Sequence, residues 1–167
     1  MIESPDSSGG FLHKRIAYIN DALQADPQLI RLNQYRNPAN VHAHRDTTAM
    51  HLHRQLGPID LLVVGAGTTG TLMGCLEYRR QHRLDHEIAA VDAIGSVTFG
   101  GALRRRFIPG LGTSRRPEIY SEAEKFEQIL ISETETVVEC RRLARRYGIL
   151  VGGSTGTVLE AVRILGA

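Results

Sequence analysis

Apolar residues recur at helical spacing at Leu12, Ile16, Ile19 and Leu23, which predicts a helix over about residues 10–25, after the turn-rich opening Pro5-Asp6-Ser7-Ser8-Gly9-Gly10. Asp26 and Pro27 end it, Leu29 to Leu32 has the pattern of a short strand, and Asn33 to Asn40 is polar, with Asn37 and Pro38 as turn formers. A weakly amphipathic helix is expected from Ala43 to Leu56, closed by Gly57 and Pro58. From Ile59 the pattern becomes that of an α/β unit. Ile59 to Val64 is a short apolar run suited to a buried parallel strand, Gly65 to Gly70 a glycine-rich turn, and Leu72, Met73, Leu76 and Tyr78 mark a helix. A second strand is expected from Glu87 to Val91, ending at Asp92.

Residues 93–117 carry no periodic pattern but hold several glycines, Arg104 to Arg106 and Arg115 to Arg116; irregular loops of that length are usually functional. Phe126 to Ile131 reads as a strand, and Ser132 with Glu135 forms a capping box that starts a helix running to Tyr147, stopped by Gly148. Ile149 to Val151, Gly152 to Gly156 and the Val158, Leu159, Val162, Leu165 series repeat the order strand, glycine turn, helix.

Composition changes little in this picture. In 167 residues, 20 basic side chains nearly balance 18 acidic ones, for a net charge of +2, so charge gives no support to nucleic-acid binding. Cys75 and Cys140 are isolated thiols, as in a reducing cytosol, and no basic-then-apolar leader or membrane-length apolar run is present. A cytoplasmic protein is expected. Lys14 and Lys125 are the only lysines, so any amine chemistry has two candidates.

The turn Gly65-Ala66-Gly67-Thr68-Thr69-Gly70-Thr71 follows a buried strand and opens a helix, so its N–H groups and the positive end of the helix dipole would converge on an anion. It also fits the dinucleotide fingerprint Gly-x-Gly-x-x-Gly, with Asp92 placed to hold a ribose. The hydroxyls of Thr68, Thr69 and Thr71 favour a phosphate monoester over a closely approaching pyrophosphate. A ligand-free tight turn remains a third reading. Ser154, at the second glycine turn, is either a helix N-cap or a ligand group. His42, His44, His51 and His53 are close in sequence, but each His-x-His pair splits across a helix, so no metal site is expected.

Gln34 to Asn40 (Gln-Tyr-Arg-Asn-Pro-Ala-Asn) with His44, Thr47 and Thr48, then Gly67 to Thr71, then Gly152 to Gly156, together resemble the cysteine synthase family of fold-type II pyridoxal-phosphate enzymes. Val91-Asp92-Ala93 with Gly95-Ser96-Val97, and Pro109 to Arg115, look like its 2,3-diaminopropionate branch. The resemblance implies an α/β fold, a three-layer αβα partial tryptophan synthase β-like domain with a mostly parallel sheet. It implies residues 1–40 as a remnant of the small N-terminal domain, and 41–167 as the large phosphate-binding domain without its C-terminal end. Pyridoxal 5'-phosphate is the implied cofactor, held through Gly67, Thr68, Thr69, Gly70 and Thr71, with Ser154 at the pyridine nitrogen. Gln34 would reach the substrate carboxylate, and Arg115 or Arg116 a substrate phosphate or carboxylate, although exposed arginines are often only solvated.

The implied reaction is β-replacement, with O-phosphoserine and glutamate giving N-(2-amino-2-carboxyethyl)-glutamate, in an enzyme that is a homodimer when intact. Thr69 departs from the family pattern, which has glycine there. The family's Schiff-base lysine lies in a Ser-x-Lys-x-Arg segment, which neither Lys14 nor Lys125 matches, so a fragment inactive by itself is expected. The alternatives are a non-catalytic module pairing with a separate half, and a Rossmann-type nucleotide binder.

Overall fold

The computed structural model describes Ser4 and residues 11–166 of the chain. The expected opening turn at Pro5 to Gly10 lies outside the described residues. Two compact units part between Asn33 and Gln34.

In the first unit, helix α1 (Leu12–Ala25) ends at Asp26, whose backbone N–H still reaches Ala22 O while its carboxylate accepts the Gln28 N–H at 2.9 Å. That side-chain bond gives the backbone an alternative to another helical turn. The strand expected at Leu29 to Leu32 does not form: the segment joins no ladder, and Ile30 and Leu32 are each 84% exposed. A β-propensity is realised only against a neighbouring strand.

The second unit opens with α2 (Ala39–Ala43), a π-helical turn (His44–Ala49) and α3 (Met50–Leu56) in one continuous run. It starts four residues before the expected Ala43, because Asn37 Oδ1 accepts the Ala39 N–H at 3.0 Å and Pro38 has helical φ and ψ. Gly57, at φ +75°, closes it as expected.

Strands β1 (Leu61–Gly65), β2 (Glu87–Ala93) and β3 (Glu127–Ile131) form a parallel sheet in the order β1-β2-β3, with Val64 opposite Ala90 and Val91 opposite Ile129. Alternation along the strands divides the core. Val64, Ile88 and Ala90 face Leu72, Met73 and Leu76 of α4 (Gly70–His82), together with Val41 and Ala49. Val63, Val91, Ile129 and Ile131 face Val158 and Ala161 of α6 (Gly153–Leu165), on which α5 (Glu133–Tyr147) packs. This is the expected three-layer αβα arrangement. Each fully buried Leu or Ile contributes about 1.5–3 kcal/mol of transfer free energy.

The capping box at the start of α5 is present in both directions, Glu135 N–H to Ser132 Oγ at 3.2 Å and Ser132 N–H to Glu135 Oε2 at 2.8 Å. The strand expected at Ile149 to Val151 is absent from the sheet, and Leu150 is 90% exposed. The order strand, glycine turn, helix is therefore realised once with a paired strand, at β1. Apolar character alone does not make a strand where no described neighbour offers a ladder.

Candidate functional site

In a parallel sheet the carboxyl ends of the strands share one edge, and β1 delivers Gly65 to Thr71 there. Ala66 N–H bonds Val91 O at 2.7 Å, and Ala66 O takes the Gly112 N–H at 2.9 Å, tying the turn to the end of β2 and to the 109–112 segment. Thr69 is the N-cap of α4 and has a left-handed backbone, φ +67° and ψ 0°. For a β-branched residue this is a strained conformation. Glycine, which the resemblance leads one to expect here, takes this conformation without strain.

Thr69 is 2% exposed and its Oγ1 has no hydrogen-bond partner. A buried hydroxyl left unbonded costs about 1–3 kcal/mol. An orphaned hydroxyl beside the positive end of a 13-residue helix is what a phosphate group would satisfy. The residues present thus fit the group that the turn implies.

Two side chains from the 34–48 segment complete the turn. Asn40 Nδ2 donates to Thr68 Oγ1 at 3.2 Å and to Gln34 O at 2.9 Å, and its amide fills the space that a side chain at Gly70 would need. His44 lies between Thr48 Oγ1, 3.0 Å from Nδ1, and Thr71 Oγ1, 3.2 Å from Nε2. These approaches depend on Gly74 of α4, where a Cβ would come within 2.7 Å of Arg45 N and 2.8 Å of Val41 O. Arg45 also reaches Glu77 of α4 at 3.2 Å. The motif around Gln34 to Thr48 and the glycine turn, remote in sequence, thus meet at the N-terminus of α4. Asn40 and His44 carry that link, although sequence reasoning assigned neither a site role; their recurrence in the resembled motif was the signal.

Ser154 sits at the same edge of the sheet. Gly152, and not Ser154, is the N-cap of α6, and it makes no side-chain capping bond, so the N-cap reading of Ser154 is not realised. Ser154 borders a small void with Ala93 and Pro109, and a Cβ on Gly110 would lie 3.1 Å from Ser154 Cβ. Glu133 positions this loop: its Oε1 accepts the Phe107 N–H at 2.6 Å and the Ile108 N–H at 2.5 Å. No sequence signal had singled Glu133 out, because its partners lie 26 and 25 residues away.

Gln34 has an exposed side chain, and its carbonyl accepts the Asn40 Nδ2 hydrogen bond. Arg115 pairs with Glu118 at 3.0 Å and lies 5.0 Å from the centre of the Tyr35 ring, beside Gln34. Arg116 pairs with Glu122 at 2.6 Å. Asp92 is not open to a ribose. It is 1% exposed, its Oδ1 accepts the Ala93 N–H at 2.7 Å, and burial raises its carboxyl above the usual range, opposed by hydrogen bonds from Ser96, Ala93 and Thr98. Lys125 precedes β3, at the opposite edge of the sheet from the glycine turn, and Lys14, in the first unit, donates to Ser4 Oγ at 2.7 Å.

A sequence model of the pyridoxal-phosphate dependent enzyme family matches residues 2–167. The chain is 37% identical over 158 residues to the N-(2-amino-2-carboxyethyl)-L-glutamate synthase of Ralstonia nicotianae, covering 94% of this chain and 47% of that protein. It is 38% identical over 162 residues to that of Cupriavidus metallidurans, covering 96% and 48%. Among solved structures, the O-acetylserine dependent cystathionine beta-synthase from Helicobacter pylori superposes with a TM-score of 0.79 at 28% identity, covering 92% of this chain and 49% of the other. An O-ureido-L-serine synthase superposes with a TM-score of 0.77 at 27% identity, covering 93% and 48%. The chain spans about half the length of the curated relatives it matches.

Proposed function

This chain belongs to the pyridoxal-phosphate dependent enzyme family, and from that premise we propose that it is the cofactor-phosphate-holding part of a β-replacement enzyme. The product proposed is the one its similar relatives are named for, N-(2-amino-2-carboxyethyl)-L-glutamate, and the substrates proposed for it are O-phosphoserine and glutamate. The observation that carries the reading is the buried, unpartnered Thr69 hydroxyl at the N-terminus of α4, flanked by Thr68 on Asn40 and Thr71 on His44.

In this reading Gly67, Thr68, Thr69, Gly70 and Thr71 bind the cofactor phosphate through backbone N–H groups and hydroxyls. Bound pyridoxal phosphate supplies an electron sink for loss of a β-substituent from an amino acid. Ser154 offers the pyridine nitrogen a neutral hydroxyl, which leaves the ring a weaker sink than a carboxylic acid would and favours β-elimination over transamination. Glu133, by fixing residues 107–108, keeps the 109–112 loop against Ser154. Gln34 orients the substrate carboxylate, and Arg115 offers its guanidinium fork to a second carboxylate or phosphate. A lysine supplied by sequence beyond these 167 residues, a cytoplasmic setting and a homodimeric whole enzyme complete the proposal. Among the described residues, no helix is long and apolar enough to cross a membrane.

The test is calorimetric titration of the chain with pyridoxal 5'-phosphate and, in parallel, with pyridoxal. Binding that requires the phosphate supports the reading; equal heats for both ligands, or none, overturn it. For the whole reaction, the chain is co-expressed with the N-terminal half of a relative. Formation of a phosphoserine-dependent glutamate adduct is expected, and its absence from a folded complex counts against the substrate assignment.

A further inference from the structure

His44 bridges two hydroxyls, with Nδ1 3.0 Å from Thr48 Oγ1 and Nε2 3.2 Å from Thr71 Oγ1. A neutral imidazole has one N–H and one lone pair, so these distances permit two opposite hydrogen-bond directions. In the first, Nδ1–H donates to Thr48 and Nε2 accepts the Thr71 proton. In the second, the Thr48 hydroxyl donates to Nδ1, and Nε2–H donates to the Thr71 oxygen. The two leave opposite faces of Thr71 toward the helix N-terminus. The first turns its only proton into the protein and presents lone pairs to an incoming anion, a repulsive arrangement. The second leaves that proton free to donate.

We propose that His44 is a positioning residue that, with its proton on Nε2 and its Nδ1 bonded by Thr48, holds the Thr71 hydroxyl proton on an anionic phosphate at the N-terminus of α4. This rests on the cofactor-phosphate reading above. Thr48 and His44 both lie in the π-helical turn, one turn apart, and Thr71 is the second residue of α4. The turn is held against α4 by the close approach at Gly74 and by the Arg45–Glu77 ion pair, so the ring meets Thr71 without any movement of the helix. The hydrogen bond delivered to the phosphate is charge-assisted, the stronger class.

The experiment uses the full chain with 15N-labelled histidine, with and without pyridoxal 5'-phosphate, and with inorganic phosphate as a second probe. The His44 resonances are assigned by their loss in His44→Gln. In the loaded chain, the nitrogen shifts should report a protonated Nε2 and a bare, hydrogen-bonded Nδ1. By calorimetry, His44→Leu and Thr48→Val should each weaken phosphate binding by about tenfold, the effect of losing one neutral hydrogen bond that orients the Thr71 donor. His44→Gln, which carries an acceptor and a donor at similar separation, should restore it to within a few fold. A loaded chain with the proton on Nδ1, or unchanged affinity in folded His44→Leu and Thr48→Val, overturns the proposal and leaves the cofactor reading intact. A parent chain that binds neither probe overturns both. The nitrogen spectrum needs no variant to fold except for assignment, and pairwise comparison with Thr48→Val provides that assignment independently.

Discussion

Replacing Thr69 by glycine should stabilise the ligand-free chain and weaken its hold on phosphate. The left-handed backbone, φ +67°, is about 1–2 kcal/mol unfavourable for a side-chain-bearing residue and open to glycine. The buried, unpartnered Oγ1 adds about 1–3 kcal/mol of unrecovered desolvation, which the substitution also removes. Opposing these, glycine gives the unfolded chain more freedom, about 0.4–1 kcal/mol. It also gives up two buried carbons at about 0.8 kcal/mol each. The balance is a gain of about 1 kcal/mol, read from the urea midpoint at unchanged slope. Pyridoxal 5'-phosphate affinity should fall by about tenfold, because the contact proposed for the lost hydroxyl is to a charged group. Thr69→Ala separates the terms, since it removes the hydroxyl and keeps the strain. A Thr69→Gly chain that is less stable by more than about 1 kcal/mol, with unaltered phosphate affinity, would refute both the strain argument and the assignment of the hydroxyl.

Gly74→Ala should destabilise the second unit by about 1–3 kcal/mol in thermal unfolding, because its Cβ would press on Arg45 N and Val41 O, backbone atoms with no flexible end to yield; an unchanged midpoint would show the π-helical turn to be free to shift. Ser132→Ala should cost about 1 kcal/mol by removing half of the capping box, and urea titration of the pair Ser132→Ala and Glu135→Gln should reveal their coupling. Stability should also fall between about pH 7 and pH 5. Burial, then the charge of His82, lowers the His53 imidazole, while burial, then His53 and Arg79, lowers that of His86. Their rings lie 4.9 Å apart, and His86 Nε2 is buried without a partner. A lowered histidine value means that the unfolded chain takes up the proton first, so this contribution is full above the ordinary value of about 6.5 and is lost as pH falls through and below it. His86→Leu should flatten that slope in urea unfolding at pH 8 and pH 5; an equal slope in both proteins would place its origin elsewhere.

How much was legible depended on the range of the interaction. The capping box of α5 and the end of α3 at Gly57 follow from residues within one turn of each other, and the strands at Leu61, Glu87 and Glu127 follow from compact apolar runs. Leu29 to Leu32 and Ile149 to Val151 have comparable apolar content and form no strand, because a strand is completed by hydrogen bonds to a neighbour that local pattern cannot supply. The π-helical turn was equally hidden: it arises where His44 to Ala49 packs on α4 over Gly74, a contact between segments about thirty residues apart.

The same division applies to the site. By itself the amino-acid sequence determined the chemistry on offer, three threonine hydroxyls in a glycine turn after a buried strand, a second glycine turn with Ser154, and the Gln34 to Thr48 motif, since residue type and short spacing fix donors and helix starts. Only the tertiary structure decided how they are used. It put Asn40 on Thr68 and His44 on Thr71 across 28 and 27 residues, and buried Asp92. It also left Thr69 strained and unbonded at the helix N-terminus. Those outcomes depend on packing and on the satisfaction of buried polar groups, which are properties of the folded whole.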